Sequence, residues 1–131
     1  MIKNVLCVDD DDIAQFYTSA VIEDAPFIDH ADSAYDGQGA LLYFEGLLNE
    51  KGSDTYPELI LLDLNMPIMD GYKCTKKIRS LNINCPIIAL TANAMSGERE
   101  KCLEIGMNDF ILKPLQLDQF RYSIEKWINK L

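Results

Sequence analysis

The sequence is poor in basic residues, and this shortage disfavours several kinds of partner. Its 12 Lys and Arg stand against 21 Asp and Glu, which gives a formal net charge of −9 at pH 7 over 131 residues. Clustered Lys and Arg hold nucleic-acid backbones, so the composition disfavours a DNA- or RNA-binding function. The same charge disfavours docking on an anionic membrane surface.

Long hydrophobic runs are also missing. Apolar runs such as 59–62 and 87–90 are much shorter than the roughly 20 residues of a membrane-spanning helix. The N-terminus leads directly into a strand-like segment and lacks the pattern of a signal peptide. We therefore expect a cytoplasmic protein. Its length suits a single core, which predicts one domain over residues 1–131.

Histidine and cysteine do not occur in the patterns that metal sites or catalytic triads use. His30 is the only histidine, so a histidine-based metal site or a Ser-His-Asp triad would depend on this residue alone. The four cysteines, which form no C-x-x-C pair, are Cys7, Cys74, Cys85 and Cys102. We expect them to be buried or half-buried free thiols in a reducing cytoplasm.

What is present is an alternation of short apolar runs with longer segments of helical period. Three runs are apolar at successive positions, as in strands covered on both faces: 5–8, 59–62 and 87–90. The run at 27–32 is more polar and suits a sheet edge, and a short fifth strand is expected at 110–112. Strict alternation predicts an α/β fold, a doubly wound parallel sheet with helices on both faces.

Apolar spacing predicts a helix after each strand. In the first helix, which starts near Ile13, the apolar residues have the spacing of one helix face: Ile13, Phe16, Tyr17, Ala20 and Val21. The second helix ends near Gly52, the third covers about 70–80 with Cys74 and Ile78 inward, and the fourth covers about 95–105. The last helix directs its apolar residues to the core: Leu117, Phe120, Ile124, Trp127 or Ile128, and Leu131.

Polar residues follow the strands at the edge where open α/β sheets place their ligand sites. They are Asp9, Asp10, Asp63, Thr91 and Lys113. Two like charges 5 Å apart repel by roughly 3 kcal/mol at an effective dielectric of 20, so clustered carboxylates need a counter-charge. Lys113 supplies one, and carboxylate oxygens suit Mg²⁺ better than zinc. Such a set predicts a site that holds a phosphoryl group during its transfer.

Each residue near this edge also has an ordinary structural interpretation. Asp11 and Asp12 are better explained as the N-cap and first-turn residues of the first helix. Taken singly, Asp63 fits a strand-end cap, Thr91 a helix cap and Lys113 a surface charge. Their joint placement favours a functional site.

Five segments together resemble a known family. They are Val-Asp-Asp at 8–10, Leu-Leu-Asp-Leu-Asn-Met-Pro at 61–67, Met-Asp-Gly at 69–71, Ile-Ile-Ala-Leu-Thr-Ala at 87–92 and Lys-Pro at 113–114. In this order they are similar to the CheY-like receiver domains of bacterial response regulators. Thr-Ala-Asn-Ala-Met-Ser-Gly at 91–97, with Gly-Met-Asn-Asp-Phe at 106–110, is most similar to the receivers of hybrid sensor kinases. The resemblance implies a flavodoxin-like (βα)5 fold with a five-stranded parallel sheet of order 2-1-3-4-5.

The resemblance also implies roles for the residues at the sheet edge. Asp63 would be the phosphoacceptor, which takes the phosphoryl group covalently from a phosphohistidine of a partner. Asp10, Asp63 and the backbone carbonyl of Asn65 would bind Mg²⁺ directly, and Asp9 through a water molecule. Lys113 would pair with Asp63 and then with the phosphoryl oxygens.

A conformational switch is implied as well. The Thr91 hydroxyl would move onto the phosphoryl group, and Phe110 would turn inward and so reshape the face of helix 4, strand 5 and helix 5 for a downstream partner protein. Asn65 and Asn93 would line the access to the phosphoryl group and affect its hydrolysis. A cis peptide between Lys113 and Pro114 is implied, against a base rate of about 5–6% for such bonds.

These implications describe a signalling module, not an enzyme, apart from self-catalysed transfer to Asp63 and hydrolysis there. The donor would be a sensor histidine kinase or a histidine phosphotransfer protein. One alternative is a Mg²⁺-dependent phosphatase with an aspartyl nucleophile, which Asn65 disfavours because that position usually holds a second acid. The other is a receiver-like module that binds partners without phosphorylation. The chain would be a stand-alone receiver or one module of a larger regulator, without a DNA-binding output domain.

Overall fold

The computed structural model of the chain describes residues 2–48, 56–66, 68–92 and 97–128. Strands and helices alternate along them. The strands are β1 (Val5–Val8), β2 (Ala31–Ala34), β3 (Leu59–Asp63), β4 (Ile87–Thr91) and β5 (Asp109–Leu112). The helices are α1 (Asp12–Glu23), α2 (Gly37–Leu48), α3 (Gly71–Ser80), α4 (Glu98–Ile105) and α5 (Leu117–Trp127).

The strands form one parallel sheet of order β2-β1-β3-β4-β5, which confirms the predicted fold. Val8 lies opposite Leu62 on β3, and Thr91 lies opposite Leu112 on β5. Because this register is in step across the sheet, the carboxyl ends of β1, β3, β4 and β5 meet at one edge. Asp9, Asp10, Asp63, Thr91 and Lys113 lie at or just beyond these ends.

Two apolar layers cover the sheet. The core against α1 and α5 contains Ile22, Phe120 and Ile124, and the core against the other three helices contains Phe44 and Ile78. Strands β1, β3 and β4 are buried at every position, as their continuous apolar runs predicted.

The edge strand β2 begins later than the sequence predicted. It starts at Ala31, so 27–30 of the expected 27–32 are not strand, apart from an isolated bridge between Ile28 and Ile2. Phe27 is nevertheless buried, with its ring centroid 5.9 Å from that of Phe120. An apolar residue in a buried turn resembles a strand residue in the sequence, which explains the error.

The apolar face predicted for the first helix points mainly to solvent. Ile13 and Phe16 are 80% and 78% exposed. The buried side of α1 instead carries Gln15, Thr18 and Ile22. The helix itself was predicted correctly from the helical period of the sequence. The usual rule that the apolar face of a helix packs on the core does not hold for α1. The side-chain amide of Gln15 finds hydrogen-bond acceptors in the interior, which permits a polar side chain there.

The ends of α3 and α4 agree with the sequence. Asp70 caps α3, since its Oδ1 accepts a hydrogen bond from the Lys73 N–H at 2.9 Å, and Cys74 and Ile78 are buried as predicted. Helix α4 ends at Gly106, whose φ of 117° lies in the left-handed region that favours glycine.

In the last helix, Ile128 is the buried alternative at 8% exposure, and Trp127 is 40% exposed. Several predictions lie outside the described residues. They concern the closure of α2 near Gly52, the role of Asn93 and the packing of Leu131. The fourth helix begins at Glu98, after its N-cap Gly97, and therefore later than the predicted start near Met95.

The four cysteines are free thiols, three of them buried and Cys85 partly so, as predicted. Burial raises the pKa of Cys7 to about 12, with a smaller contribution from the negative charge of Asp9. Among the described residues, no helix combines the length and the hydropathy that a membrane crossing requires.

Candidate functional site

Three carboxylates converge at the carboxyl edge of the sheet. Asp9 directly follows β1 and Asp63 ends β3, and each is only 3% exposed, whereas Asp10 is exposed. One carboxylate oxygen from each lies within 4.8 Å of the other two. Since the strands are parallel and in register, the chain cannot separate these side chains without disrupting the sheet.

Lys113 is the cation that faces this cluster. Its Nζ lies 2.8 Å from Asp9 Oδ2 and 3.3 Å from Asp63 Oδ1. The backbone N–H of Lys113 donates to the carbonyl of Thr91 at 2.7 Å, and the Lys113–Pro114 peptide is cis, as the family resemblance implied. One ammonium group thus contacts two buried carboxylates and leaves the cluster with excess negative charge.

Burial and the excess charge of the cluster both change the pKa of Asp63. Burial, followed by the negative charge of Asp9, raises the pKa of Asp63 to about 6, although Lys113 acts in the opposite direction. Burial alone would lower the pKa of Lys113, but hydrogen bonding to Asp9 and the charges of Asp63 and Asp9 raise it above its ordinary value. A proton or a further cation at Asp63 would therefore be favourable.

A cleft of about 440 Å³ opens over this cluster. Asp10, Asp11, Asp63, Asn65, Ala92 and Lys113 line it. The backbone N–H of Asn65 donates to Asp63 Oδ1 at 3.2 Å, and the Asn65 side chain is exposed. Thr91, at the end of β4, is 1% exposed. A small anion in the cleft would have both Asp63 and Lys113 beside it.

Gly71 allows α3 to begin close to the main chain of Asp63. A Cβ atom at this position would lie 2.6 Å from the carbonyl oxygen of Asp63, which is too close for any other residue. The Gly71 N–H donates to the Leu64 carbonyl at 3.0 Å, and the Gly71 carbonyl accepts from Thr75 Oγ1 at 2.8 Å. These contacts fix the segment that follows Asp63.

The segment after Asp9 is fixed by side-chain acceptors. Asp9 Oδ1 accepts from the Asp11 N–H at 3.0 Å, and Asp11 Oδ1 accepts from the Ile13 N–H at 2.9 Å. Asp11 is thus the N-cap of α1 and Asp12 is a first-turn acid, as predicted.

Beside β5 lies a network that the sequence did not indicate. Phe110 is half-buried, and the guanidinium of Arg99 lies 6.0 Å from its ring centroid. Arg99 Nη1 also contacts Asp109 Oδ1 at 3.1 Å, and Asp109 Oδ2 accepts from Ser123 Oγ at 3.1 Å and from Trp127 Nε1 at 3.4 Å. Helices α4 and α5 are thus joined through the residue that precedes Phe110.

The buried Asp109 is held in its ionised form. Burial would raise the pKa of Asp109, but hydrogen bonds from the Phe110 N–H, Trp127 and Ser123, together with the charge of Arg99, lower it below its ordinary value. The only signal in the sequence is an acid inside an apolar strand, which does not identify its partners on two other elements.

Comparison with known proteins supplies the family. The family model described as the response regulator receiver domain matches residues 5–125, and the chain belongs to this family. It is 46% identical over 95 residues to the sensor protein EvgS of Escherichia coli, covering 72% of this chain and 7% of that protein. It is 38% identical over 79 residues to the sensor histidine kinase RcsC of Escherichia coli, covering 60% of this chain and 8% of that protein.

Among solved structures, the receiver domain of the sensor histidine kinase PA1611 from Pseudomonas aeruginosa superposes with a TM-score of 0.77 at 31% identity. The match covers 98% of this chain and 99% of that one, and that structure has a magnesium ion coordinated in its active-site cleft. The chain spans less than a tenth of the length of EvgS and RcsC. It is a receiver domain of a two-component system, a signalling module whose family role is phosphoryl transfer to an aspartate.

Proposed function

We propose that Asp63 is the aspartate that accepts the phosphoryl group, within a single receiver domain formed by residues 1–131. Asp9 and Asp63 are both buried and both contact Lys113. Asp63 alone of the two lines the cleft, where an incoming phosphoryl group can reach its oxygen. This difference in access is the observation that supports Asp63 as the nucleophile.

The transfer is a displacement at phosphorus. An Asp63 oxygen forms a bond to phosphorus while the N–P bond to the donor's histidine breaks, and the electron pair stays on the imidazole nitrogen, which takes a proton. With a pKa of about 6, Asp63 is largely ionised at neutral pH and can act as nucleophile. Lys113 and the hydroxyl of Thr91 stabilise the charge on the transferred phosphoryl oxygens.

Mg²⁺ is the cofactor that suits this cluster. Asp10, Asp63 and the backbone carbonyl of Asn65 would hold the ion directly, and Asp9 through a water molecule. Three carboxylate oxygens within 4.8 Å, with one ammonium between two of them, match the hard oxygen donors that Mg²⁺ prefers. Bound Mg²⁺ supplies positive charge against the phosphoryl oxygens. Magnesium in the cleft of the similar PA1611 receiver supports this assignment.

The phosphoryl donor, a sensor histidine kinase or a histidine phosphotransfer protein, docks on the exposed apolar face of α1. We call this surface the α1 patch; it consists of Ile13, Phe16 and Tyr17, which are 80%, 78% and 50% exposed. The patch begins two residues after Asp11, which lines the cleft, so it is continuous with the site. Exposed apolar patches next to a reactive site are typical of a partner surface, here for an apolar helix that carries the phosphohistidine.

The surface for the downstream partner protein lies on the side of Lys113 opposite the α1 patch. Phosphorylation draws the Thr91 hydroxyl onto the phosphoryl group, Phe110 turns inward, and the face of α4, β5 and α5 changes shape for a downstream partner protein. A groove of about 460 Å³ already runs along this face, with Arg99, Phe110, Leu112 and Tyr122 among its lining residues. Asn65 and Asn93 modulate the hydrolysis of the phosphoryl group.

The chain acts on its own aspartate and does not turn over a free substrate. Position 65, two residues after the nucleophile, is Asn, where an aspartyl phosphatase usually has an acid. A cytoplasmic location goes with this function, and the four free thiols support a reducing compartment.

Labelling with a small-molecule donor tests this function. Incubation with radiolabelled acetyl phosphate and Mg²⁺ should label the wild type, and Asp63→Asn should abolish labelling while the fold survives. Asp11→Asn is the matched control, because Asp11 also lines the cleft and Asn is an equally good N-cap. Labelling of Asp63→Asn at the wild-type level, or turnover of many equivalents of a sugar phosphate, would contradict the proposal.

Phosphotransfer profiling then identifies the donor. Each candidate kinase from the cell of origin is autophosphorylated, mixed with the wild-type chain and sampled over seconds to minutes. Rapid labelling by one kinase defines the pathway, and labelling by none would contradict the proposed donor class.

A further inference from the structure

Gln15 is a buried polar residue on α1, and its amide group contacts the carboxyl ends of two strands. The side chain is 4% exposed. Its Nε2 donates to the carbonyl of Ala34 at 2.9 Å and to the carbonyls of Cys7 and Asp9, both at 3.2 Å. One amide group thus joins the ends of β1 and β2 to the first residue of the site.

These contacts hold Asp9 from several directions. Its backbone carbonyl accepts from Gln15, its backbone N–H donates to the Ala34 carbonyl at 3.1 Å, and its Oδ1 accepts from the Asp11 N–H at 3.0 Å. Asp10 lies between the two anchored residues. The position of both carboxylates on this turn therefore depends on how firmly the turn is held.

The amide of Gln15 is only partly satisfied in the core. Gln15 Oε1 is buried and has no hydrogen-bond partner among the described residues. A buried acceptor without a partner is unfavourable, which offsets part of the stabilisation from the three N–H contacts of the same amide. Only a side chain with N–H groups can hold the three carbonyls together.

We infer that Gln15 is a positioning residue of the Mg²⁺ site, which acts by fixing the turn that carries Asp9 and Asp10. This inference rests on the proposed function, since it assumes that the two carboxylates serve a metal ion. It differs from the roles assigned above because Gln15 touches neither the cleft nor any carboxylate. Residues that orient metal ligands in this way typically change metal affinity by about 10–100-fold when replaced.

The test separates metal affinity from fold stability. Gln15→Met keeps the length of the side chain and removes the N–H donors. Thr18→Val is the matched control, because Thr18 lies on the same buried side of α1 at 6% exposure. The dissociation constant of Mg²⁺ is measured by calorimetry, and the phosphorylation rate by acetyl phosphate is measured at saturating Mg²⁺.

Gln15→Met should raise the Mg²⁺ dissociation constant by about tenfold. The rate at saturating Mg²⁺ should stay within about twofold of the wild type, because Asp63 and Lys113 do not contact Gln15. In the metal-free protein, the amide protons of Asp9 and Asp11 should exchange faster than in the wild type. Thr18→Val should change none of these three measurements.

If Gln15→Met does not fold, Gln15→Asn replaces it, since the shorter amide cannot reach the three carbonyls together. An unchanged Mg²⁺ dissociation constant in a folded variant, or the same change in Thr18→Val, would overturn the inference and leave Gln15 with a structural role only. Failure of the proposed function is distinguishable, because the wild type itself would then bind no Mg²⁺ at millimolar concentration or take no label at Asp63.

Discussion

Helices α1 and α5 pack on the same face of the sheet but present opposite sides to it. Helix α5 buries apolar side chains, with Phe120 and Ile124 fully inaccessible. Helix α1 buries Gln15 and Thr18 and leaves Phe16 78% exposed. Two helices of similar length in the same layer thus use their apolar residues differently.

This difference indicates that α5 serves mainly the stability of the fold, whereas α1 serves partner recognition. Apolar burial supplies most of the favourable free energy of folding, so α5 contributes to stability in the ordinary way. Helix α1 begins at the edge of the cleft, and its buried amide orients the main chain there. Its outward apolar residues are then available to a partner. The core packing of a helix beside the site therefore does not by itself reveal the function of that helix.

The largest expected effect contrasts the two helices directly. Phe120→Ala should lower the free energy of unfolding by about 3–5 kcal/mol, because it creates a cavity in a closed core. Phe16→Ala should change it by less than about 0.5 kcal/mol, because the ring is mostly in water. Urea unfolding of both variants measures the difference, and similar losses in both would contradict the orientation of α1.

The second-largest effect concerns the buried charge of Asp63, at the carboxyl edge of the sheet beside α1. The folded state binds the proton of Asp63 more tightly than the unfolded state, since the pKa is raised from 3.8 to about 6. Without Mg²⁺, the wild type should therefore lose stability as the pH rises from about 4 through 6. Asp63→Asn, which has no charge to bury, should be about 3 kcal/mol more stable than the wild type at pH 7.5.

Unfolding of both proteins over this pH range, in a metal-free buffer, tests the sign of the difference in stability between them. The gain of Asp63→Asn should vanish below pH 4, where Asp63 is protonated in both states of the wild type. A gain that is constant with pH, or a loss at pH 7.5, would show that Asp63 carries no unfavourable charge in the folded protein.

The α1 patch should affect the rate of phosphotransfer from protein donors but not from small-molecule donors. Phe16→Ser should slow phosphotransfer from the cognate kinase by about tenfold, which corresponds to about 1.4 kcal/mol. Phosphorylation by acetyl phosphate should be unchanged, because this donor needs no docking surface. Tyr122→Ser, at an aromatic residue of α5 that is 68% exposed, is the matched control. Equal slowing by both substitutions would contradict a donor surface on α1.

The smallest expected effect is at the contact between α4 and β5. Arg99→Ala removes a half-exposed ion pair to Asp109 and the contact with the Phe110 ring, so it should cost only about 0.5–1 kcal/mol. NMR spectra with and without beryllofluoride should show a larger fraction of inward Phe110 in the variant. No beryllofluoride-induced shifts around Phe110 in either protein would contradict the switch.

The sequence predicted the strands of the sheet well, but it predicted the buried face of α1 and the start of β2 wrongly. Continuous apolar runs identified β1, β3 and β4, because strands covered on both faces have no polar side. The face of α1 was wrong, because Gln15 donates hydrogen bonds to main-chain carbonyls that no periodicity reveals. The start of β2 was wrong because the buried turn residue Phe27 resembles a strand residue.

At the site, the sequence indicated the residues that follow the strands. Parallel strands in register bring Asp9, Asp63 and Lys113 to one edge, so their order along the chain was sufficient. It did not indicate Gln15 or Arg99, which act from helices through contacts with other elements. Their signal is only a polar side chain in a helix, which most often lies on the surface.

The position of the phosphoryl group shows directly whether Asp63 is the acceptor. The chain is phosphorylated with acetyl phosphate and Mg²⁺, reduced with borohydride so that an aspartyl phosphate becomes homoserine, and digested for mass spectrometry. We expect homoserine at position 63 and unmodified Asp9, Asp10 and Asp11. Homoserine at any of those three positions, with Asp63 unmodified, would show that another aspartate is the acceptor.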